Sequence, residues 1–470
     1  MLATMPRPLR CVVSVSGIRG IIGETLDPDE LLGLAAAFAQ AVAKGRTVVL
    51  GRDSRPTGAL IAQIVAGALR AAGCPVVEIG VVPTPTVPIA IAELVRRGIA
   101  VGGGLQISAS HNPVEWNALK LFSDQGRNVD QSQLDAVLAA YAAGPAWRRW
   151  DGCGRWSRLD EALDVHLSRV LAAVDVGLIR AQRFPVVIDS VNGSGAELAP
   201  RLLTELGCQV TTLNARSDLP FPRDPEPTAE KVVQTGAAVR AVGAAIGFVQ
   251  DPDADRLALI DGTGTYIGEE YTLALCASAR FAAAESAGQR GAVAVTNLST
   301  SRMIDDAAQR HGGRVVRSKV GEAHVVDAMQ AHGALIGGEG NGGVIEPRVV
   351  WGRDSQIGMA LVLEYLARRR QTLAEVVSSI PRYAMTKQKI PLSRAQVAAA
   401  IPALLGGLLA RGAEIDQRDG LKLSWPDRWL HLRASGTEPV SRIIAEAPTV
   451  VEAEQLAEQV RTALVSAVAA

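Results

Sequence analysis

Apolar and polar residues are arranged along the chain in blocks that repeat. A β-rich run, a polar or glycine-rich turn, an amphipathic helix, a glycine and a second β-rich run follow one another three times. The first copy extends from Thr47-Val-Val-Leu50 through Gly51-Arg-Asp-Ser-Arg55 and an Ala-rich helix to Ala72-Gly-Cys-Pro-Val-Val-Glu78. The second extends from Pro185-Val-Val-Ile-Asp189 through Asn192-Gly-Ser-Gly195 to Leu206-Gly-Cys-Gln-Val210, and the third from Ala292-Val-Ala-Val-Thr296 to His311-Gly-Gly-Arg-Val-Val316. Each copy predicts a βαβ unit, whose crossover helix implies parallel strands in a sheet covered on its faces. Around Pro381 to Pro391 the pattern changes to an Ala/Leu-rich helix, a hairpin-like stretch from Leu421 to Leu432, a turn and a final helix from Val450. The predicted fold class is α/β: three tandem related α/β domains plus a smaller C-terminal α+β domain. The domains are expected at 1–155, 156–261, 262–380 and 381–470.

Composition narrows the partners. The 470 residues include 48 Lys and Arg against 48 Asp and Glu, with no long run of either sign, so nucleic acid and anionic membranes are not expected and a small molecule is. The five cysteines are odd in number and form no Cys-x-x-Cys pair, which points to a reducing cytoplasm. Cys74 and Cys208, at matching places in two copies, suit small buried apolar positions. No apolar run reaches the roughly 18 residues of a membrane span, and no export signal is evident. A monomer or homodimer is expected.

Four motifs carry candidate chemistry. In Ser108-Ala-Ser110-His111-Asn112-Pro113 a glycine-rich β-run ends in small polar residues, and Pro113 keeps Asn112 out of a helix. Ser110 is therefore expected on an exposed loop at a strand end, with His111 or Lys120 to relieve its hydroxyl of a proton. The same run equally suits a turn held by Ser and Asn side chains. In Asp251-Pro-Asp253-Ala-Asp255-Arg256, carboxylates at alternating positions can converge on one hard cation such as Mg²⁺, unless they form a solvated acidic turn. An EF-hand fails, since its sixth position would be Arg256 and its twelfth Gly262. Gly337-Gly-Glu339-Gly-Asn341-Gly-Gly343 matches a dinucleotide pattern formally, but the following Val344-Ile-Glu-Pro347 does not open a helix. Glu339 and Asn341 there suit sugar hydroxyls, and the alternative is a mobile turn. Arg433-Ala-Ser435-Gly436-Thr437-Glu-Pro439 with Arg442 offers phosphate donors or an ordinary capping turn.

Together with Ser16-Gly-Ile-Arg19-Gly20, these motifs in this order resemble the α-D-phosphohexomutase superfamily over essentially the whole chain. The resemblance implies three similar α/β domains and a smaller fourth around one cleft. It implies an Mg²⁺-dependent exchange of phosphate between C1 and C6 of a hexose, through a phosphoserine and a hexose 1,6-bisphosphate. Ser110 would be that phosphoserine and, with Asp251, Asp253 and Asp255, would bind the metal. Arg19, His111, Lys120 and Arg256 would surround the reacting phosphoryl group. Glu339, Asn341 and Lys319 would face the sugar, and Arg433, Ser435, Gly436, Thr437 and Arg442 would hold the second phosphate. Many bacterial members carry Glu-x-Ser-Gly-His at the sugar loop; Asn341 and Gly343 depart from it and remove that His. This form looks like the archaeal-type branch, with phosphoglucosamine the expected substrate and mannose or glucose phosphate the alternative. A non-catalytic sugar-phosphate binder is the reading from another class.

Overall fold

The computed structural model of the protein describes residues 9–406, 410–434 and 440–469. The first sheet contains β1 (Val12–Ser14), β2 (Gly17–Ile21), β3 (Thr47–Arg52), β4 (Val76–Val81), β5 (Val101–Ile107), β6 (Trp116–Ser123) and β7 (Trp156–Arg158), in the order β1-β2-β6-β5-β3-β4-β7. The second contains β8 (Pro185–Asp189), β9 (Gln209–Leu213), β10 (Ile246–Gln250) and β11 (Leu257–Asp261), ordered β11-β10-β8-β9. The third contains β12 (Val293–Asn297), β13 (Arg314–Ser318), β14 (Ile336–Glu339) and β15 (Gly343–Ile345), ordered β13-β12-β14-β15.

The three sheets share one plan. The two strands of each sequence repeat pair in parallel, β3 with β4, β8 with β9 and β12 with β13. A third strand, β5, β10 or β14, joins in parallel on the other side. A fourth, β6, β11 or β15, returns antiparallel. The sheets are thus mixed, where the repeat alone predicted parallel strands. The reason is connection length: the loops 108–115, 251–256 and 340–342 are too short for a crossover helix, so the chain must reverse. The runs Val48-Val49, Val186-Val-Ile188 and Val293-Ala-Val295 are buried because helices cover both faces.

In the fourth domain β16 (Ala384–Ile390), β17 (Glu414–Asp416), β18 (Leu421–Ser424), β19 (Trp429–Ala434) and β20 (Ser441–Ala447) form an antiparallel sheet ordered β16-β20-β19-β18-β17. Leu421 pairs with Leu432, as the hairpin reading predicts. Helices Arg394–Gly406 and Val450–Ala469 complete the domain, and its apolar residues form their own cluster.

The helix Ser355–Arg369 is buried from Ser355 to Ala367. A helix apolar nearly all round belongs in a core; this one packs against Glu269–Ser286 of its own domain and against three helices of the second. Its N-cap, Asp354, accepts from Gln356 N (2.9 Å) and also meets His166 Nε2 (2.9 Å), whose Nδ1 meets Thr86 Oγ1 (2.9 Å). All three side chains are buried, so this relay joins the first three domains. Cys74 is buried and Cys208 half-buried, and all five cysteines are free. No helix among the described residues is long and apolar enough to cross a membrane.

The third and fourth domains meet through polar groups. Lys387 Nζ lies 2.9 Å from Glu269 Oε1 and 3.6 Å from Glu270 Oε1, while Glu270 Oε2 accepts from Ser301 N (3.0 Å). Burial pushes the Glu270 carboxyl up to about 8 despite the opposing charge of Lys387. Glu270 therefore takes up a proton on folding anywhere between its ordinary 4.5 and about 8. Stability falls as the pH rises through that window. Glu270→Gln is expected to flatten this slope, which thermal unfolding of both proteins at pH 5 and pH 8 checks.

Candidate active site

The three equivalent loops after β5, β10 and β14 carry three of the motifs. In the second, the chain reverses between Gln250 and Leu257, with Ala254 at a φ of +54°. Asp251, Asp253 and Asp255 are buried, and one carboxylate oxygen of each lies within 4.8 Å of the others. A solvated acidic turn is thereby excluded. Asp253 Oδ2 accepts from Thr84 Oγ1 and Lys120 Nζ; Asp255 Oδ2 accepts from Arg353 Nη2 (2.8 Å) and Lys120 Nζ (3.3 Å). Their other oxygens, Asp253 Oδ1 and Asp255 Oδ1, are buried without a hydrogen-bond partner. Orphaned carboxylate oxygens beside a third carboxylate fit a hard divalent cation.

Charge is distributed unevenly over the three. Burial, then the charges of Asp253 and Asp255, push the Asp251 carboxyl well above its ordinary range. Burial works the same way on Asp253, but the Lys120 ammonium and the bonds from Lys120 and Thr84 hold it below that range. Lys120 in turn is held above its ordinary value, because Asp253 and Asp255 outweigh its burial.

Ser110 follows β5, as expected, at a left-handed φ of +49°. It is only 6% exposed, contrary to the exposed loop predicted, because the aspartate loop of the second domain covers it. Its Oγ donates to Asp251 Oδ2 (2.7 Å) and lies 3.3 Å from His111 Nδ1. Its N–H donates to Ser108 Oγ (3.0 Å). The loop is stapled from below by Arg55, a buried residue that sequence reasoning left in a polar turn. Its guanidinium donates to the carbonyls of Ser110 (2.6 Å), Asn112 (2.7 Å) and Pro113 (2.6 Å), and its Nε to Asp53 Oδ2 (3.1 Å). The available signal was the alternating charge of Arg52-Asp53-Ser-Arg55 directly after a buried β-run.

Two further guanidiniums face this loop. Arg19, on β2, donates from Nη1 to Asn112 Oδ1 (3.4 Å), and Arg256 Nε stands 3.8 Å from Asp255 Oδ1. The Nε atoms of both are buried without a hydrogen-bond partner, as the donors of an anion site are. The charge of Arg256, then burial, then Arg19 push the His111 imidazole well below its ordinary value, so it is neutral at pH 7.

Glu339, at the end of β14, is buried and fully engaged: Oε1 accepts from Asn297 Nδ2 (2.9 Å) and Gly321 N (3.1 Å), and Oε2 from Arg353 Nη1 (3.0 Å). Arg353 Nε also donates to Glu322 Oε2 (2.7 Å), which joins the sugar-loop motif to the aspartates through a residue no motif contained. Asn341 Oδ1 is buried and unpartnered. Lys319 is exposed on the turn after β13. Beside it, Val320 N donates to Asp419 Oδ2 (3.1 Å), which also accepts from Arg433 Nε (3.2 Å). Arg433 pairs across β19 and β20 with Arg442, at the strand ends that flank the phosphate-turn motif. Ser435, Gly436 and Thr437 lie outside the described residues.

The site thus draws one set of groups from three sheets: Ser110, His111, Lys120 and Arg19 from the first, the aspartates and Arg256 from the second, Glu339 and Asn341 from the third. Arg433 and Lys319 adjoin it through Asp419 and the segment 319–322.

Comparison with known proteins agrees with this architecture. Four family models match in order: phosphoglucomutase/phosphomannomutase alpha/beta/alpha domain I over residues 12–146, domain II over 164–264, domain III over 269–383 and the C-terminal domain over 384–463. A phosphoglucomutase/phosphomannomutase of Thermococcus kodakarensis is 35% identical over 450 residues, covering 94% of this chain and 96% of its own length. A probable phosphoglucosamine mutase of Methanopyrus kandleri is 35% identical over 455 residues, 96% of each chain. The crystal structure of a phosphoglucomutase/phosphomannomutase family protein from Burkholderia thailandensis superposes with a TM-score of 0.83 at 26% identity, covering 98% of this chain and 97% of the other. Matched by all four domain models and by relatives 35% identical over nearly its whole length, the chain belongs to the phosphoglucomutase/phosphomannomutase family, the phosphohexomutase isomerases.

Proposed function

We propose that the protein interconverts hexose 6-phosphate and hexose 1-phosphate through a phosphoserine at Ser110 and a hexose 1,6-bisphosphate, with Mg²⁺ as cofactor and glucosamine phosphate as preferred substrate. The observation that carries the reading is the Ser110 hydroxyl 2.7 Å from Asp251, in a cluster where Asp253 and Asp255 each keep a buried oxygen without a partner. Ser110, Asp251, Asp253 and Asp255 would hold the Mg²⁺, which when bound supplies a Lewis acid for the charge on the transferring phosphoryl oxygens.

The protein's own groups do the rest. In one half-reaction the Oγ–P bond of phosphoserine 110 breaks while a free sugar hydroxyl bonds to phosphorus; that hydroxyl loses its proton and Ser110 Oγ regains one. In the other, Oγ gives up its proton and bonds to the second phosphorus of the bisphosphate, whose ester bond to the sugar oxygen breaks, and that oxygen takes up a proton. Neutral His111, beside Oγ, is suited to exchange the Oγ proton. Lys120, held as an ammonium by two aspartates, is suited to electrostatic stabilisation instead. The spare donors of Arg19 and Arg256 address phosphoryl oxygens whose charge is similar in both half-reactions. Glu339 and Asn341 would face sugar hydroxyls near Lys319, and Arg433, Arg442 and the 435–437 turn would hold the phosphate not in transfer. Closure of the fourth domain over a cleft would keep water from the phosphoserine.

The name of the Methanopyrus relative supports glucosamine phosphate. That of the Thermococcus relative supports mixed glucose and mannose specificity. Five free cysteines accord with a cytoplasmic setting.

Ser110→Ala is expected to lower turnover on the order of 10⁴-fold or more while leaving hexose 1-phosphate binding largely intact; substantial remaining mutase activity would sink the phosphoserine. Asp253→Asn is expected to raise the Mg²⁺ needed for half-maximal rate at least about tenfold and to lower the rate. An unchanged metal titration removes Asp253 from the metal site. With a trace of bisphosphate as primer, kcat/KM is expected to rank glucosamine phosphate above glucose, mannose and N-acetylglucosamine phosphates. Equal values for glucose and mannose above glucosamine would establish the mixed reading.

A further inference from the structure

The sugar loop ends in Gly342-Gly343, and these two glycines are there for different reasons. Gly342 has a φ of +81°, a backbone that favours glycine whatever surrounds it. Gly343 opens β15 in extended pairing with Glu339, a conformation open to any residue. Space is what forbids a side chain there: a Cβ on Gly343 would lie 2.2 Å from Arg353 Cδ and 2.9 Å from its Cγ. On this backbone a His at position 343, the last residue of the family's other form of the loop, would place its Cβ in that same volume.

Arg353 has little freedom to yield it. Its backbone N–H donates to Glu322 Oε2 (3.3 Å), and the next residue, Asp354, donates from its N–H to Val344 O (2.8 Å) and caps the buried helix Ser355–Arg369. Its guanidinium is divided among Asp255 (2.8 Å), Glu322 (2.7 Å) and Glu339 (3.0 Å), three carboxylates with little or no exposure. A planar fork suits this division, whereas a single ammonium does not.

We propose that Arg353 takes the place of a side chain at position 343, as a positioning residue that fills that volume and fastens the sugar loop, through Glu339, to the metal loop, through Asp255. Where the other form of the loop carries an imidazole able to exchange protons, this chain carries a cation that does not. The activity part of the proposal rests on the mutase reading; the volume part does not.

The test is a cycle of Gly343→Ala, Arg353→Ala and the double variant, read by thermal unfolding of the full chain. Gly343→Ala is expected to lower the midpoint by several degrees in the wild-type background and not at all with Arg353→Ala. Equal losses in both backgrounds, or no loss in the single variant, overturn the volume claim. If Arg353→Ala does not fold, the single Gly343→Ala result decides it. Arg353→Lys keeps the stem and one charge but loses the fork. It is expected to raise about 10–100-fold both the Mg²⁺ concentration that lifts the unfolding midpoint and the KM for glucose 1-phosphate. A lysine variant with a lower midpoint but unchanged Mg²⁺ response and KM overturns the positioning role. A wild-type protein without mutase activity would sink the proposed function and leave the unfolding cycle and the Mg²⁺ response standing.

Discussion

Everything at the site depends on one buried ionic chain: Lys120 on Asp253 and Asp255, Asp255 on Arg353, and Arg353 on Glu322 and Glu339. Each of these charges would be costly to bury alone, and each is tolerable because a partner meets it; the pairs of Lys120 with Asp253 and Asp255, and of Asp255 with Arg353, cross domain boundaries. Lys120 belongs to the first domain, the aspartates to the second and Arg353 to the third, so the domains are held in register by the groups that form the site. Asp251 stands outside the pairing. Burial and the charges of Asp253 and Asp255 push its carboxyl upward, toward the neutral form.

The triplicated sheet explains how three domains can supply one site. In each, the third parallel strand ends at the same edge, and the short reversal into the antiparallel fourth holds its side chains at that edge. Ser110, the aspartates and Glu339 are products of one structural position, differentiated by sequence. The shortness of the loops matters, because six residues between Gln250 and Leu257 leave the carboxylates little room to turn to solvent.

Much of this was legible in the chain. The valine runs and the helix between them fixed the repeat, and the register of Leu421 with Leu432 followed from the hairpin pattern. The serine, the aspartates and Glu339 were visible because chemistry restricts their residue types. The antiparallel fourth strands were missed because a strand's direction is set by loop length and tertiary pairing, not by its own pattern. Arg55, Thr84 and Arg353 were missed because their partners lie far along the chain; Arg353 meets Asp255 across 98 residues. An arginine before a helix cap reads as a surface residue until the fold closes around it.

The left-handed backbone at Ser110 bears on how such a loop can evolve. A serine tolerates that conformation, but a branched Cβ is crowded there by its own main chain. Threonine, the nearest chemical substitute for that hydroxyl, is therefore more strained there than serine, but not excluded: Val191 holds the same φ of +49° in its own turn. The loop's backbone thus biases the identity of the residue it presents, before any chemistry is asked of it.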